Sequence, residues 1–241
     1  MNVRDNVNEN PNGGISHYAV NSPQPFEVPE QLLNTAKQFR GSMMQYSCAI
    51  REVKTKLEVL NDELSIRNSR NPIEIIKVRL KKPASIVEKL QRRGLPVSVE
   101  SMRQNLDDIA GIRVICSFVD DIYEISRMLA RQDDVTIIAV KDYIRSPKEN
   151  GYRSYHMILE VPVYFSNCKQ QIRVEVQIRT IAMDFWASLD HQLKYKKQLD
   201  AEDAAEIGEE LKKCAEIIAG TDWKMLDIRR RIEEKGGVVQ R

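Results

Sequence analysis

Three groups of residues in this chain have the types and spacing that chemistry on a phosphorylated substrate needs. The first is a basic cluster, Arg79, Lys81, Lys82, Lys89, Arg92 and Arg93, six cations in fifteen residues. Within it Pro83 to Glu88 reads as a helix start, with Ser85 as N-cap and Glu88 three residues later completing a capping box. Ser85, Lys89 and Arg92 then fall at i, i+4 and i+7, which puts a hydroxyl and two cations on one face beside the positive end of the helix dipole. Such a face suits a triphosphate; the same spacing also suits a solvated charged face, where most Lys and Arg lie.

The second group is Asp107-Asp108, leading through Ile109-Ala110-Gly111 into an apolar run that contains Arg113. A carboxylate at a strand end can hold magnesium, because hard cations take oxygen ligands; an acid capping turn amides is the alternative. Arg113 fits a plain core poorly, since a cation in an apolar strand must find a partner or a planar group to stack on. The third group runs from Lys141 to His156, where Pro147, Asn150 and Gly151 make a loop and Tyr152 emerges among Lys148, Arg153 and His156. This is either a base-stacking platform with cations for phosphates or a hairpin turn whose tyrosine covers a sheet edge.

The elements that must position these groups form an α+β block. Apolar runs predict strands at 112–118, 135–140, 153–161 and 172–180, with Pro162 and Asn167 in the loop between the last two. In IRVEVQIRT, Ile172, Val174, Val176 and Ile178 face one way, and Arg173, Glu175, Gln177 and Arg179 the other. A sheet face with two arginines, a carboxylate and an amide is solvated or an active site. Short helices are expected after Pro83 and over 122–129. A helix at 181–196 would place Asp184, Ala187 and His191 on one face and a core-facing stripe of Ile181, Phe185 and Leu189 on the other.

Two long helices flank the block. From Pro29 to about Arg67, Met43, Tyr46, Ile50, Val53, Leu57, Leu60 and Leu64 alternate steps of three and four, a heptad seam. A second seam runs through Ile207, Leu211, Cys214, Ile218, Thr221, Met225, Ile228 and Ile232. These seams pack on the core or each other, or they form a subunit interface. Residues 1–28 read as a disordered leader, 29–235 as the folded domain and 236–241 as a flexible tail.

Composition narrows the classes. A net charge of +2 excludes bulk attraction to a polyanion, so phosphate binding must come from local clusters and nucleic acid is not required. No stretch is long and apolar enough to span a bilayer, and the N-terminus lacks a signal-peptide core, which points to the cytoplasm. Four scattered cysteines and three histidines supply neither a disulfide framework nor a zinc motif.

The run Arg79 to Lys89, DIAGIRV from Asp108, KDYI from Lys141, GYRSYH from Gly151 and EVQIRT from Glu175 resemble, in the same order, the synthetase domain of RelA/SpoT-type enzymes. AMDFWASLDH after them is similar to the single-domain branch, the small alarmone synthetases, and the resemblance covers roughly residues 30 to 230. It implies a nucleotidyltransferase-like mixed sheet flanked by helices and a magnesium-dependent transfer of pyrophosphate from ATP to the 3′-hydroxyl of GDP or GTP, releasing AMP. It further implies that Arg79 and Arg113 sandwich adenine, that Lys81, Ser85, Lys89 and Arg92 hold the ATP phosphates, and that Asp108 and Glu175 bind Mg²⁺. Glu175 would also take the proton from the attacking hydroxyl. Tyr152 would stack on guanine, Asp184 read its N1 and N2 hydrogens, Lys141, Lys148 and His156 meet the acceptor phosphates, and Gln177 support the acceptor. Small members of the family are typically homotetramers.

No His-Asp doublet precedes Arg79, so synthesis without hydrolysis is expected. Two other readings stay open: pyrophosphorylation of another acceptor, such as an adenine nucleotide or a tRNA end, and a non-catalytic nucleotide or RNA sensor. Asp184 argues against adenine, whose N1 carries no hydrogen, and the paired carboxylates argue against the sensor.

Overall fold

The computed structural model describes residues 30–68, 70–194 and 201–236; the expected leader and residues 237–241 of the expected tail lie outside them. Among the described residues, five strands form one mixed sheet: β1 (Ile73–Leu80), β2 (Ala110–Cys116), β3 (Thr136–Asp142), β4 (Tyr155–Tyr164) and β5 (Lys169–Thr180). Their order is β1-β2-β5-β4-β3, with only β2 and β5 parallel. Six helices accompany them: α1 (Glu30–Asn68), α2 (Pro83–Arg92), α3 (Val99–Asn105), α4 (Val119–Ala130), α5 (Ile181–Lys194) and α6 (Ala201–Gly236).

The expected α+β architecture is present, and the alternation in β5 explains its two faces. Ile172, Val174, Val176 and Ile178 are buried under α1 and α4, which leaves the opposite face to Arg173, Glu175, Gln177 and Arg179. The first heptad seam supplies that cover: Tyr46, Ile50, Val53, Leu57, Leu60 and Leu64 are all buried where α1 crosses β2, β5 and β4. Each such side chain contributes about 1.5–3 kcal/mol. This seam packs within the molecule.

The second seam is only partly in phase with the structure: Ile207, Leu211 and Ile218 are half-buried, but the rest of it turns outward. The inward face of α6 is Ala215, Asp222 and Leu226, whereas Cys214, Thr221, Met225, Ile228 and Ile232 are exposed. Polar anchors set that phase, which hydrophobic counting does not register: Thr180 Oγ1 donates to Asp222 at 2.6 Å, Trp186 Nε1 donates to the Leu211 carbonyl at 2.9 Å, and Arg229 pairs with Asp120. The stripe expected on α5 is likewise reversed. Ile181, Phe185 and Leu189 are exposed, and Met183 and Trp186 face the protein.

Other boundaries also differ. Helix α2 begins at Pro83 with Lys82 as N-cap and no side-chain cap, so Ser85 is a first-turn residue and not the cap. Proline at N1 carries a preset φ and needs no hydrogen bond there, which lets the helix start three residues early. Pro162 lies within β4, opposite Gln171, and the hairpin turns at Phe165 to Cys168. It is tolerated because β3 pairs β4 only as far as Glu160. Strand β1 and helix α3 were not anticipated. β1 is an edge strand, mostly exposed and irregular near Ile73 to Ile75, so it lacks the clean alternation of a half-buried strand.

Candidate functional site

The sheet register assembles the site. Lys77 of β1 pairs with Arg113 of β2, Arg113 with Gln177 of β5, Gln177 with His156 of β4, and His156 with Lys141 of β3, a polar row crossing all five strands. The adjacent row runs Arg79, Gly111, Glu175. Gly111 puts no side chain between Arg79 and Glu175, and a Cβ there would lie 3.4 Å from the Arg79 carbonyl oxygen. A cavity of about 220 Å³ opens over these rows, lined by Lys77, Arg79, Lys81, Asp108, Arg113, Glu175 and Gln177 among others.

On the β1–β2 side, the Lys81 amide bonds the Ile109 carbonyl at 2.9 Å and so draws the end of β1 against Asp108. Asp108 Oδ2 accepts from Lys89 Nζ at 2.7 Å and Lys81 Nζ at 3.0 Å, while its Oδ1 is buried without a hydrogen-bond partner. Burial pushes the Asp108 pKa up, but the bonds from Lys89 and Lys81 outweigh it and hold the carboxyl below its ordinary range. Ser85 is half-buried on the same helix as Lys89, whereas Arg92 points outward beside Glu88 at 4.0 Å, away from the cavity. Arg79 and Arg113 are diagonal neighbours across the β1–β2 ladder. Arg113 Nε is buried and unpartnered, and burial, then the nearby Arg179, lower its pKa.

On the β4–β5 side, a loop closed by Tyr143 N to Ser154 O (3.0 Å) presents Tyr152. Gly151 makes the tight passage with φ +84°, and it abuts α6 so closely that a Cβ would fall 2.6 Å from that of Ala215. Lys148 Nζ lies 5.1 Å from the Tyr152 ring centroid. The Tyr152 hydroxyl is 2.9 Å from His156 Nε2, and His156 Nδ1 is 3.2 Å from Glu175 Oε1. Gln177 Nε2 donates to Glu175 Oε2 at 3.0 Å. Burial raises the Glu175 pKa, but the contacts from His156 and Gln177 override it, so the carboxyl stays below its ordinary range. Lys141 is exposed at the end of the polar row.

Asp184, in the first turn of α5, is 8% exposed. Its Oδ1 accepts from Arg113 and Arg179, each at 3.2 Å, and its Oδ2 from Lys77 at 3.1 Å. Despite burial, Lys77, Arg113 and Arg179 together depress its pKa. Three of its roughly four lone-pair directions are thus taken. Of the three cations, Lys77 has the most exposed side chain.

Every residue expected at the site except Arg92 therefore lies on or beside this face: on the strands and at their ends, on α2, in the loop that presents Tyr152 or, for Asp184, in the first turn of α5. Lys77, Ser154 and Arg179 are additional members. Lys77 sat in the unrecognised strand, where its two-residue spacing from Arg79 was the available signal; Arg179 was visible on the polar face of β5 without an assigned role. Among the described residues, no group of three or more His, Cys, Asp or Glu side chains converges on a metal position. Asp108 with Glu175 is instead the two-carboxylate arrangement that suits magnesium, which keeps waters and substrate phosphates as its other ligands. The orphaned Asp108 Oδ1 fits that role.

Residues 78–200 match the family model for the region found in RelA / SpoT proteins. The GTP pyrophosphokinase YwaC of Bacillus subtilis (strain 168) is 41% identical over 204 residues, 85% of this chain and 96% of that protein. The crystal structure of small alarmone synthetase 2 from Bacillus subtilis matches with TM-score 0.71 and 43% identity, covering 80% of this chain and 99% of its own. That of small alarmone synthetase 1 from the same species, bound to its product pppGpp, matches with TM-score 0.72 and 34% identity over 82% of this chain and 99% of its own.

Proposed function

The chain belongs to the RelA/SpoT family, and from that premise we propose that it works as a (p)ppGpp synthetase through the two half-sites of its polar sheet face. ATP takes the β1–β2 side and GDP or GTP the β4–β5 side. The acceptor 3′-oxygen attacks the β-phosphorus of ATP, the bond from that phosphorus to the α–β bridging oxygen breaks, AMP leaves, and the hydroxyl proton passes to Glu175.

The observation that carries this reading is the pair Asp108 and Glu175 at the floor of a cavity walled by Lys77, Arg79, Lys81 and Arg113. Two polyanions can meet only where cations offset their repulsion. Arg79 and Arg113 offer guanidinium planes to adenine. Lys81 and Lys89 take phosphate oxygens, and Ser85 extends the same helix face; Arg92 must swing inward to join them. Glu175, its carboxyl held below the ordinary carboxylate range by His156 and Gln177 despite burial, is in the form that accepts a proton. Tyr152 gives guanine a stacking face, and Lys141 and Lys148 meet the acceptor phosphates. His156, whose two ring nitrogens are taken by Tyr152 and Glu175, joins Gln177 in orienting Glu175 instead of meeting those phosphates. Asp184, three of whose roughly four lone-pair directions are taken, reads guanine once Lys77 releases it. Asp108 and Glu175 are the residues that would hold Mg²⁺, which when bound neutralises charge developing on the phosphates.

We propose that the chain assembles as a homo-oligomer, a tetramer by analogy with small members of the family, and the exposed apolar residues support a subunit interface. Ile181, Phe185 and Leu189 on α5, with Trp223, Met225, Ile228 and Ile232 on α6, leave two helices with unpartnered apolar side chains. Light scattering at micromolar concentration should give an oligomer; a clean monomer refutes this. No described helix is long and apolar enough to cross a membrane, and a cytoplasmic location supplies both nucleotides.

The functional test is incubation with ATP labelled at the β-phosphate and a panel of GDP, GTP, ADP and tRNA. Label transfer to the guanine nucleotides supports the reading. Transfer only to another acceptor, or none, rejects it.

A further inference from the structure

Arg179, at the end of β5, is 4% exposed and lies at the junction of the two half-sites. Its Nε donates to Ser154 Oγ at 3.3 Å, its Nη1 to Asp184 at 3.2 Å, and its Nη2 to the Tyr152 hydroxyl oxygen at 2.5 Å and to Gln177 Oε1 at 3.3 Å. The guanidinium carbon stands 5.0 Å from the Tyr152 ring centroid. A guanidinium donates and never accepts, so the direction of everything bonded to it is fixed.

Tyr152 accepts from Arg179, and its own hydrogen turns to His156 Nε2 at 2.9 Å. The Glu175 carboxylate only accepts, so the neutral imidazole carries its hydrogen on Nδ1, toward Glu175 Oε1 at 3.2 Å, and its Nε2 is the acceptor for Tyr152. Gln177 likewise accepts through its oxygen, which turns its amide nitrogen to Glu175 Oε2 at 3.0 Å. Two donor chains thus start on Arg179 and end on the two oxygens of one carboxylate.

We propose that Arg179 is the positioning residue of the acceptor half-site, fixing the Tyr152 platform and, through His156 and Gln177, the orientation of the Glu175 carboxylate toward the acceptor hydroxyl. This rests on the reading of Glu175 as the group that faces the 3′-hydroxyl. Lysine cannot substitute for it: one ammonium has three donors on a point and cannot span four acceptors arranged around a planar fork. A lysine does keep a cation beside Asp184, so the fold and the ATP side are retained.

The test is a cycle of R179K, Y152F and the double variant in the full chain, with GDP and ATP varied separately and thermal unfolding recorded. R179K should lower kcat about tenfold and raise the GDP KM about tenfold, the size of one lost bond to a charged group, with the ATP KM within about twofold. Y152F, which keeps the ring and cuts only the hydroxyl chain, should lower kcat with little change in the GDP KM. The double variant should be no slower than R179K, because that chain is already cut. Defects that multiply in the double variant, or an ATP KM that rises with the GDP KM, overturn the proposal. If R179K does not fold, Y152F decides: an unchanged kcat overturns it. E175Q run in parallel separates the two readings, since near-normal turnover there sinks the Glu175 assignment and this proposal together. A slow E175Q with multiplying defects removes Arg179's role alone.

Discussion

Replacing Asp108 by Asn changes no atom positions beyond one oxygen, yet it removes the charge that two lysines share. In the native protein Oδ2 accepts from Lys89 at 2.7 Å and Lys81 at 3.0 Å, and all three side chains are largely buried. Bonds to charged groups contribute about 1.5–3 kcal/mol each, and the Asn oxygen can still accept weakly, so the fold should lose about 1–3 kcal/mol. For a chain of this size that is roughly 2–4 °C in Tm per kcal/mol. Activity should suffer far more, because an NH₂ group at either position repels a cation: turnover should fall about 10²–10³-fold, with a higher Mg²⁺ requirement. The pH dependence has a definite sign. The Asp108 pKa is lower folded than unfolded, so its stabilisation is fully present above the ordinary carboxylate range and is lost as pH falls through the folded value. The gap in Tm between native protein and D108N should therefore be constant near neutrality and close below about pH 4. Thermal melts across pH, with AMP release at rising Mg²⁺, measure both effects. Turnover within about threefold of native would refute the ligand assignment, since a lost electrostatic contact of this kind costs far more.

Glu175→Gln should keep its melting behaviour within a few degrees while losing about 10²–10³-fold in turnover, read as AMP release; a near-normal rate rejects Glu175 as base or ligand. Asp184→Ala should erase the preference for GDP over IDP, and Lys77→Ala should lower the GDP KM by freeing Asp184; selectivity unchanged in Asp184→Ala removes its recognition role. Leu57→Ala, at a fully buried position where α1 meets the sheet, should cost about 2–5 kcal/mol in urea unfolding, and a loss well under 1 kcal/mol would mean that α1 is not part of the core.

Much of the site was legible because strand alternation is strict. Once Ile172 to Ile178 was assigned to the core, Glu175, Gln177 and Arg179 had to share the other face, as they do. The first helical seam was legible for the same reason, since its apolar residues outnumber every alternative face. What failed was phase set by polar or small groups. On α6 the buried positions are Ala215, Asp222 and Leu226, and on α5 the inward side includes Asp184 itself, paired with cations from three strands. Hydrophobic counting cannot find a face held by ion pairs. β1 was missed because an edge strand facing a polar cavity needs no buried alternation, and with it went Lys77. The links among side chains, above all the fan of donors from Arg179, depend on register between strands distant in sequence, which no local pattern encodes.

The proposed reaction transfers two phosphates as a unit to a guanosine 3′-oxygen. It is tested most directly by following ATP, GDP and Mg²⁺ with the protein by ³¹P NMR. The prediction is AMP and guanosine 3′,5′-bisdiphosphate appearing in equal amounts, with the new diphosphate resonances coupled to the ribose 3′-hydrogen. ADP and inorganic phosphate as products, or AMP without a 3′-diphosphate, would contradict it.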